Sequence, residues 1–204
     1  NRVIVLKLLN NNASNHIQNY KGYTAVMLAT KYHYNIILSD LLKKDINNEW
    51  INLCNNFNET ALMIAVKNNN LNGVIELLKN NPNVNICDKL GNTCLINATK
   101  QQNIEILKLL LDCKDIDINL CNKFNESSFI IAAALGNIQC IELLYEYNID
   151  ITLKDKYGND GLMFAVCYNR VDVVTKILEY YLKKNIDINY LNTKGKSVFM
   201  VGEK

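Results

Sequence analysis

Histidine is nearly absent from this sequence: His16 and His33 are the only two. Neither stands at a metal-ligand spacing or beside the partners of a nucleophilic triad, so the residue types needed for zinc or Ser-His-Asp chemistry are missing. A glycine-rich phosphate loop is missing too. The seven cysteines are odd in number and no two form Cys-x-x-Cys. That speaks against a disulfide framework and for free thiols in a reducing, cytoplasmic setting. No apolar run approaches the roughly 18 residues of a membrane span, and no signal peptide opens the chain. Charge of one sign is not in excess. A net charge of +2 is too small to announce a nucleic-acid partner or a membrane surface. The acidic pair Asp115 and Asp117 falls in a turn and reads as solvated rather than as an acid/base pair. The sequence therefore reads as non-catalytic, with no cofactor and no metal.

What is present is a period. A short phrase recurs six times, clearest as Asp88-Lys89-Leu90-Gly91-Asn92-Thr93-Cys94-Leu95-Ile96-Asn97-Ala98. The other copies begin at Asn19, Asn55, Asn122, Asp155 and Asn192. Their fourth places hold Gly22, Asn58, Gly91, Asn125, Gly158 and Gly195, spaced by 36, 33, 34, 33 and 37 residues. Such spacing marks a repeat array in which each unit touches only its neighbours. At 49% apolar and 21% charged residues the chain can bury a core. The expected architecture is a single array over 1–204. Val3 to Leu9 reads as the second helix of a partial repeat, and Lys194 to Val201 as the start of another, so the chain reads as a segment of a longer protein.

Within a unit the order is turn, short helix, tight loop, longer helix and extended tail. Leu62, Ala65 and Val66, then Val74, Leu77 and Leu78, give two helices with one apolar face each. Gly suits the left-handed backbone expected at the fourth place, and Asn58 and Asn125 are the next-best residues. Thr24, Thr60, Thr93, Ser127, Asp160 and Ser197 stand where a helix N-cap belongs. His33, Asn69, Gln102, Gly136 and Asn169 hold the loop between helices, His33 and Gln102 being poorer choices. The runs Asn10-Asn11-Asn12 and Asn68-Asn69-Asn70 read mainly as coding bias falling on turns. Cys54, Cys87 and Cys121 should form a row of partly buried thiols too far apart to bridge.

These phrases resemble the ankyrin repeat, over nearly the whole chain. Gly91, Thr93, Leu95 and Ala98 match the family phrase, as do Thr60, Leu62 and Ala65. The tails Asn83-Val84-Asn85, Asp117-Ile118-Asn119, Asp150-Ile151-Thr152 and Asp187-Ile188-Asn189 match its closing stretch. The resemblance implies a mainly α solenoid of stacked helix pairs linked by β-hairpin-like turns. The family proline is replaced by Ala25, Ala61, Cys94, Ser128 and Gly161. The family histidine gives way to Met27, Met63, Ile96, Ile130 and Met163, which implies apolar contacts in place of a hydrogen-bond network. Gly161 should weaken its helix start by about 0.5–1 kcal/mol relative to Ala, making the fifth turn the loosest. Lys44 to Trp50 adds residues between the first two repeats, and Glu179 to Lys184 lengthens a second helix before the last. Trp50 either covers the edge of the helix stack or serves a partner.

The resemblance also implies a protein partner that engages the turn tips and first helices lining a concave face. The tips offer Tyr20, Lys21, Phe57, Lys89, Leu90, Lys123, Phe124, Lys156 and Tyr157. Their rings either pack on the adjacent hairpin or form a ligand-facing stripe. By register the helices add Tyr32, Lys67, Lys100, Leu135 and Tyr168, basic at the front and apolar at the back, which fits a partner with an acidic and an apolar end. The expected role is a monomeric interaction scaffold binding neither nucleic acid nor membrane. The alternative is a targeting or regulatory arm of a larger enzyme, such as a kinase or acyltransferase. A structural spacer is a further rival.

Overall fold

The computed structural model describes residues 1–43 and 50–202. Among these residues it contains twelve helices and no strand. They are α1 (Arg2–Asn10), α2 (Ala25–Lys31), α3 (Asn35–Leu42), α4 (Ala61–Lys67), α5 (Leu71–Leu78) and α6 (Cys94–Gln101). Then come α7 (Ile104–Leu111), α8 (Ser128–Leu135), α9 (Ile138–Glu146), α10 (Gly161–Cys167), α11 (Val171–Lys184) and α12 (Val198–Val201). Inner helices α2, α4, α6, α8, α10 and α12 pack one on the next, and outer helices α1, α3, α5, α7, α9 and α11 form a second layer behind them. Each inner helix from α2 to α10 also packs on the outer helix that follows it. One continuous core runs between the layers, built from residues such as Leu62, Leu77, Leu95, Leu107, Ile141 and Ile177. Met27, Met63, Ile96, Ile130 and Met163 are almost wholly buried, so apolar packing does occupy the histidine positions of the family phrase.

The inner helices start where expected. Thr24, Thr60, Thr93, Ser127 and Asp160 each accept the amide three residues on, at 3.0–3.3 Å. Ser197 holds the same place without a side-chain bond. Tight loops follow, with left-handed backbone at His33, Asn69, Gln102, Gly136 and Asn169. The lengthened second helix is α11, with 14 residues. The insertion expected at 44–49 lies outside the described residues. Trp50 stacks on His16 with ring centroids 4.0 Å apart, covering an edge of the stack.

Two expectations change. The asparagine run at 68–70 is not incidental. Asn68 donates to the Ile64 carbonyl at 2.7 Å, Asn69 takes the left-handed turn, and Asn70 caps α5. The buried Asn70 amide also reaches the preceding repeat, donating to the Thr30 carbonyl at 3.0 Å. Each residue of the run satisfies backbone groups that a helix end leaves unpaired. The second change concerns Gly161. A Cβ there would sit 2.9 Å from the Phe129 ring, so the glycine admits close packing of α10 on α8. The fifth turn keeps its full set of hydrogen bonds.

Candidate functional site

Each turn phrase is built by its first residue. Asn19, Asn55, Asp88, Asn122, Asp155 and Asn192 each accept the amides two and four residues on, at 2.8–3.0 Å. The side chain thereby replaces a backbone partner and fixes the loop. The fourth residue then takes positive φ, as at Gly91 (φ 80) and Asn58 (φ 61). One backbone bond joins each turn to the next: Asn56 to Lys21, Lys89 to Phe57, Lys123 to Leu90, Lys156 to Phe124 and Thr193 to Tyr157, at 2.9–3.2 Å. At the two asparagine turns the side chain adds a second link. Asn58 donates to the Cys87 carbonyl at 2.5 Å and Asn125 to the Lys154 carbonyl at 2.6 Å. These rows of bonds set the third residues of the phrases side by side at the tips.

At those tips Phe57, Leu90, Phe124 and Tyr157 are 44–56% exposed, and Tyr20 is 85% exposed. Lys89, Lys123 and Lys156 are exposed beside them. The lysines also organise the rings. The Lys156 ammonium lies 4.9 Å from the Phe124 centroid and 5.0 Å from that of Tyr157, and Lys194 lies 5.6 Å from Tyr157. Lys21 sits 5.5 Å from Tyr20. These are distances at which ring faces attract ammonium groups. Two cavities open at the base of this row. One, of about 380 Å³, is lined by Phe124, Glu126, Asp155, Lys156, Tyr157 and Phe164 among others. Its neighbour, about 290 Å³, shares Tyr157 and Phe164 and adds Tyr168, Lys194 and Lys196.

A family model described as ankyrin repeats matches the sequence three times, over residues 1–88, 41–122 and 95–192. The chain belongs to the ankyrin repeat family. Among solved structures, the ankyrin repeat domain of Bcl-3, described as a unique member of the IkappaB protein family, is similar to it. The TM-score is 0.83 at 17% identity, covering 100% of this chain and 88% of that one. At that identity the likeness shows the fold alone. No curated protein matches the sequence.

The ankyrin array brings some anticipated residues together and withdraws others. Phe124, Lys156, Tyr157 and Tyr168 converge on the two cavities. Tyr20, Lys21 and Tyr32 belong to the front of the array, where Tyr32 is exposed beside Tyr34 at 6.1 Å. Leu135 is exposed at the end of α8. Lys67 is held by Glu59 of its own repeat and Asp88 of the next, at 2.8 Å each. Lys100 donates to Asn92 at 2.7 Å. Lys67 and Lys100 are thus engaged within the array, whereas Lys21 at the first tip makes no ion pair among the described residues. The ammonium groups that stay clear of ion pairs among the described residues include Lys156 and Lys194, at the back.

Phe164, Lys194 and Lys196 were not anticipated as site residues. Phe164 had a signal: it lies four residues after its cap, where other repeats carry Leu28, Ile64, Asn97 and Ile131. A ring in that row is oversized for a helix interface and protrudes into the cavities. Cys54, Cys87 and Cys121 are free and half-buried, and burial raises each thiol. Thiols held in the protonated form are poor nucleophiles.

Proposed function

We propose that this array is a non-catalytic module that captures another protein by rigid presentation of its turn tips and inner helices. Ankyrin repeats are generally protein–protein interaction modules, which supports the class. The observation that carries the reading here is the half-exposed row Phe57, Leu90, Phe124 and Tyr157, with lysines beside it. Large apolar groups rimmed by polar ones are costly to leave in water and mark interaction surfaces. The array acts as one domain over 1–204 and as a monomer. Its near-neutral charge gives no support to a nucleic-acid or membrane surface. The absence of a histidine constellation and the raised thiols support a role without chemistry of its own.

Exchange of Phe57, Phe124 and Tyr157 for Ser tests this. The three side chains are exposed, so the variant keeps its thermal midpoint within a few degrees, and capture of proteins from a cell extract is lost. An unchanged set of captured proteins overturns the reading.

A further inference from the structure

The back of the array carries a more specific arrangement than an apolar stripe. Phe124, Lys156, Tyr157 and Lys194 alternate ring and ammonium along successive turns. Each lysine is positioned by ring faces, yet its N–H groups remain open to an incoming acceptor. Lys156 and Lys194 approach the same Tyr157 ring, at 5.0 and 5.6 Å from its centroid, so their ammonium groups lie no more than about 11 Å apart. Beneath the row lie the two cavities, one on each side of Tyr157, with Phe164 in both.

We propose that these features form a binding groove for an acidic peptide segment in polyproline II conformation. The proposal rests on the reading of this face as a protein-binding surface. Polyproline II has three residues per turn and rises about 3.1 Å per residue. Residues three apart then face the same way, about 9 Å apart, within the separation the two ammonium groups can span. An extended strand fits less well, because its same-side residues are two apart and only about 6.6 Å along the chain. A carboxylate at every third position pairs with Lys156 and Lys194. Apolar side chains on a second edge of the same helix enter the cavities beside Tyr157 and Phe164. The two acidic residues in the lining do not oppose this. Asp155 is buried and bonded to the amides of Tyr157 and Asn159. Glu126 accepts from Asn122 at 2.8 Å. They disfavour a polyphosphate, whose charge is continuous, over a peptide that places its acids only at the rim.

The probe is a short labelled peptide repeating Glu-Pro-Leu, read by fluorescence polarisation against the whole chain. Controls repeat Lys-Pro-Leu or Glu-Pro-Ser, and an oligothymidine is the polyphosphate control. The Glu-Pro-Leu peptide binds, more weakly as salt rises. Lys156→Glu weakens it about tenfold or more, Lys156→Ser about two- to fivefold, and Ile36→Ser, exposed on outer helix α3, leaves it unchanged. Equal binding of the Lys-Pro-Leu peptide, tighter binding of the oligonucleotide, or indifference to Lys156→Glu overturns the proposal. A random-peptide selection separates the two levels. If Glu-Pro-Leu fails while selected peptides bind and are lost with Tyr157→Ser, the acidic chemistry is wrong and the protein-binding face stands. If neither binds, both fall.

Discussion

At the scale of single residues, Lys67 shows how a surface charge becomes part of the frame. Its ammonium bridges Glu59 and Asp88 across a repeat junction. Burial lowers the Lys67 pKa, but the bonds to Asp88 and Glu59 outweigh it and leave the group raised above 10.5. Burial likewise raises the Asp88 carboxyl, but the bonds from Lys67 and Asn92 hold it below 3.8. The signs agree. A lowered carboxylate contributes stability above its unfolded pKa and loses it as pH falls through the folded value. A raised lysine contributes below its unfolded pKa and loses it as pH rises through the folded value. The bridge therefore stabilises the array between about pH 3.8 and 10.5. Lys67→Met is expected to cost about 1–2 kcal/mol at neutral pH, because Asp88 is left buried without its cation. Chemical denaturation across pH checks it: the deficit is flat through neutrality and shrinks below pH 3.8. A deficit independent of acid would mean that Lys67 acts by packing alone. Sequence could place Lys67 on the inner face but not reveal its bond to Asp88, which lies 21 positions away and depends on how two repeats are rotated.

At the scale of elements, the start of α10 departs most from its counterparts. Asp160 is the only carboxylate N-cap among the described helices. Besides the Met163 amide it accepts the hydroxyls of Tyr181, at 2.6 Å, and Tyr190. Burial and the facing carboxylate push both phenols far up, keeping them as donors. Tyr181 comes from the lengthened part of α11, so the longer helix and the unusual cap form one device. Lys154 packs 4.0 Å from the Tyr190 ring and closes it from outside. Asp160→Thr would restore the cap used by its neighbours, and on helix propensity alone it is neutral. We expect a loss of about 1–3 kcal/mol, because Tyr190 loses its acceptor and the buried Tyr181 hydroxyl is left with only the Ile151 carbonyl, at 3.2 Å. Urea unfolding measures it, and a neutral result would show that water replaces the carboxylate. The cap itself was legible, since Asp is a good N-cap. The role of Gly161 was not. Read along the chain it weakens a helix, whereas across the array it clears 2.9 Å for Phe129. Propensity sees only the first of these.

At the scale of the whole molecule, the period made the architecture readable, because a constant spacing of turns admits few alternatives to stacked helix pairs. The site was half readable. Register placed Phe57, Leu90, Phe124 and Tyr157 in one row, but only the packing shows which lysines are tied down and which stand free. The same nearest-neighbour logic governs how the array comes apart. Each unit is held only by its flanks, so one weak junction can divide it. Gly91 sits at such a junction near the middle, with φ 80 and the Lys123 amide 2.7 Å from where a Cβ would go. Gly195 has the same backbone, φ 69, but no atom within 4 Å of that place. Gly195→Ala should cost about 1–2 kcal/mol, the penalty of left-handed backbone alone. Gly91→Ala must also push the next turn away, breaking the Lys123-to-Leu90 bond. The lone tryptophan, Trp50, reports the front of the array, while far-UV circular dichroism reports all helices. In the wild type the two probes should unfold together, and likewise after Gly195→Ala. After Gly91→Ala their midpoints should separate, as front and back halves unfold independently. Coincident midpoints in Gly91→Ala would show that the halves are coupled by more than the turn junction. The stacked inner and outer helices would then carry the cooperativity, with the turns serving chiefly to present the tips.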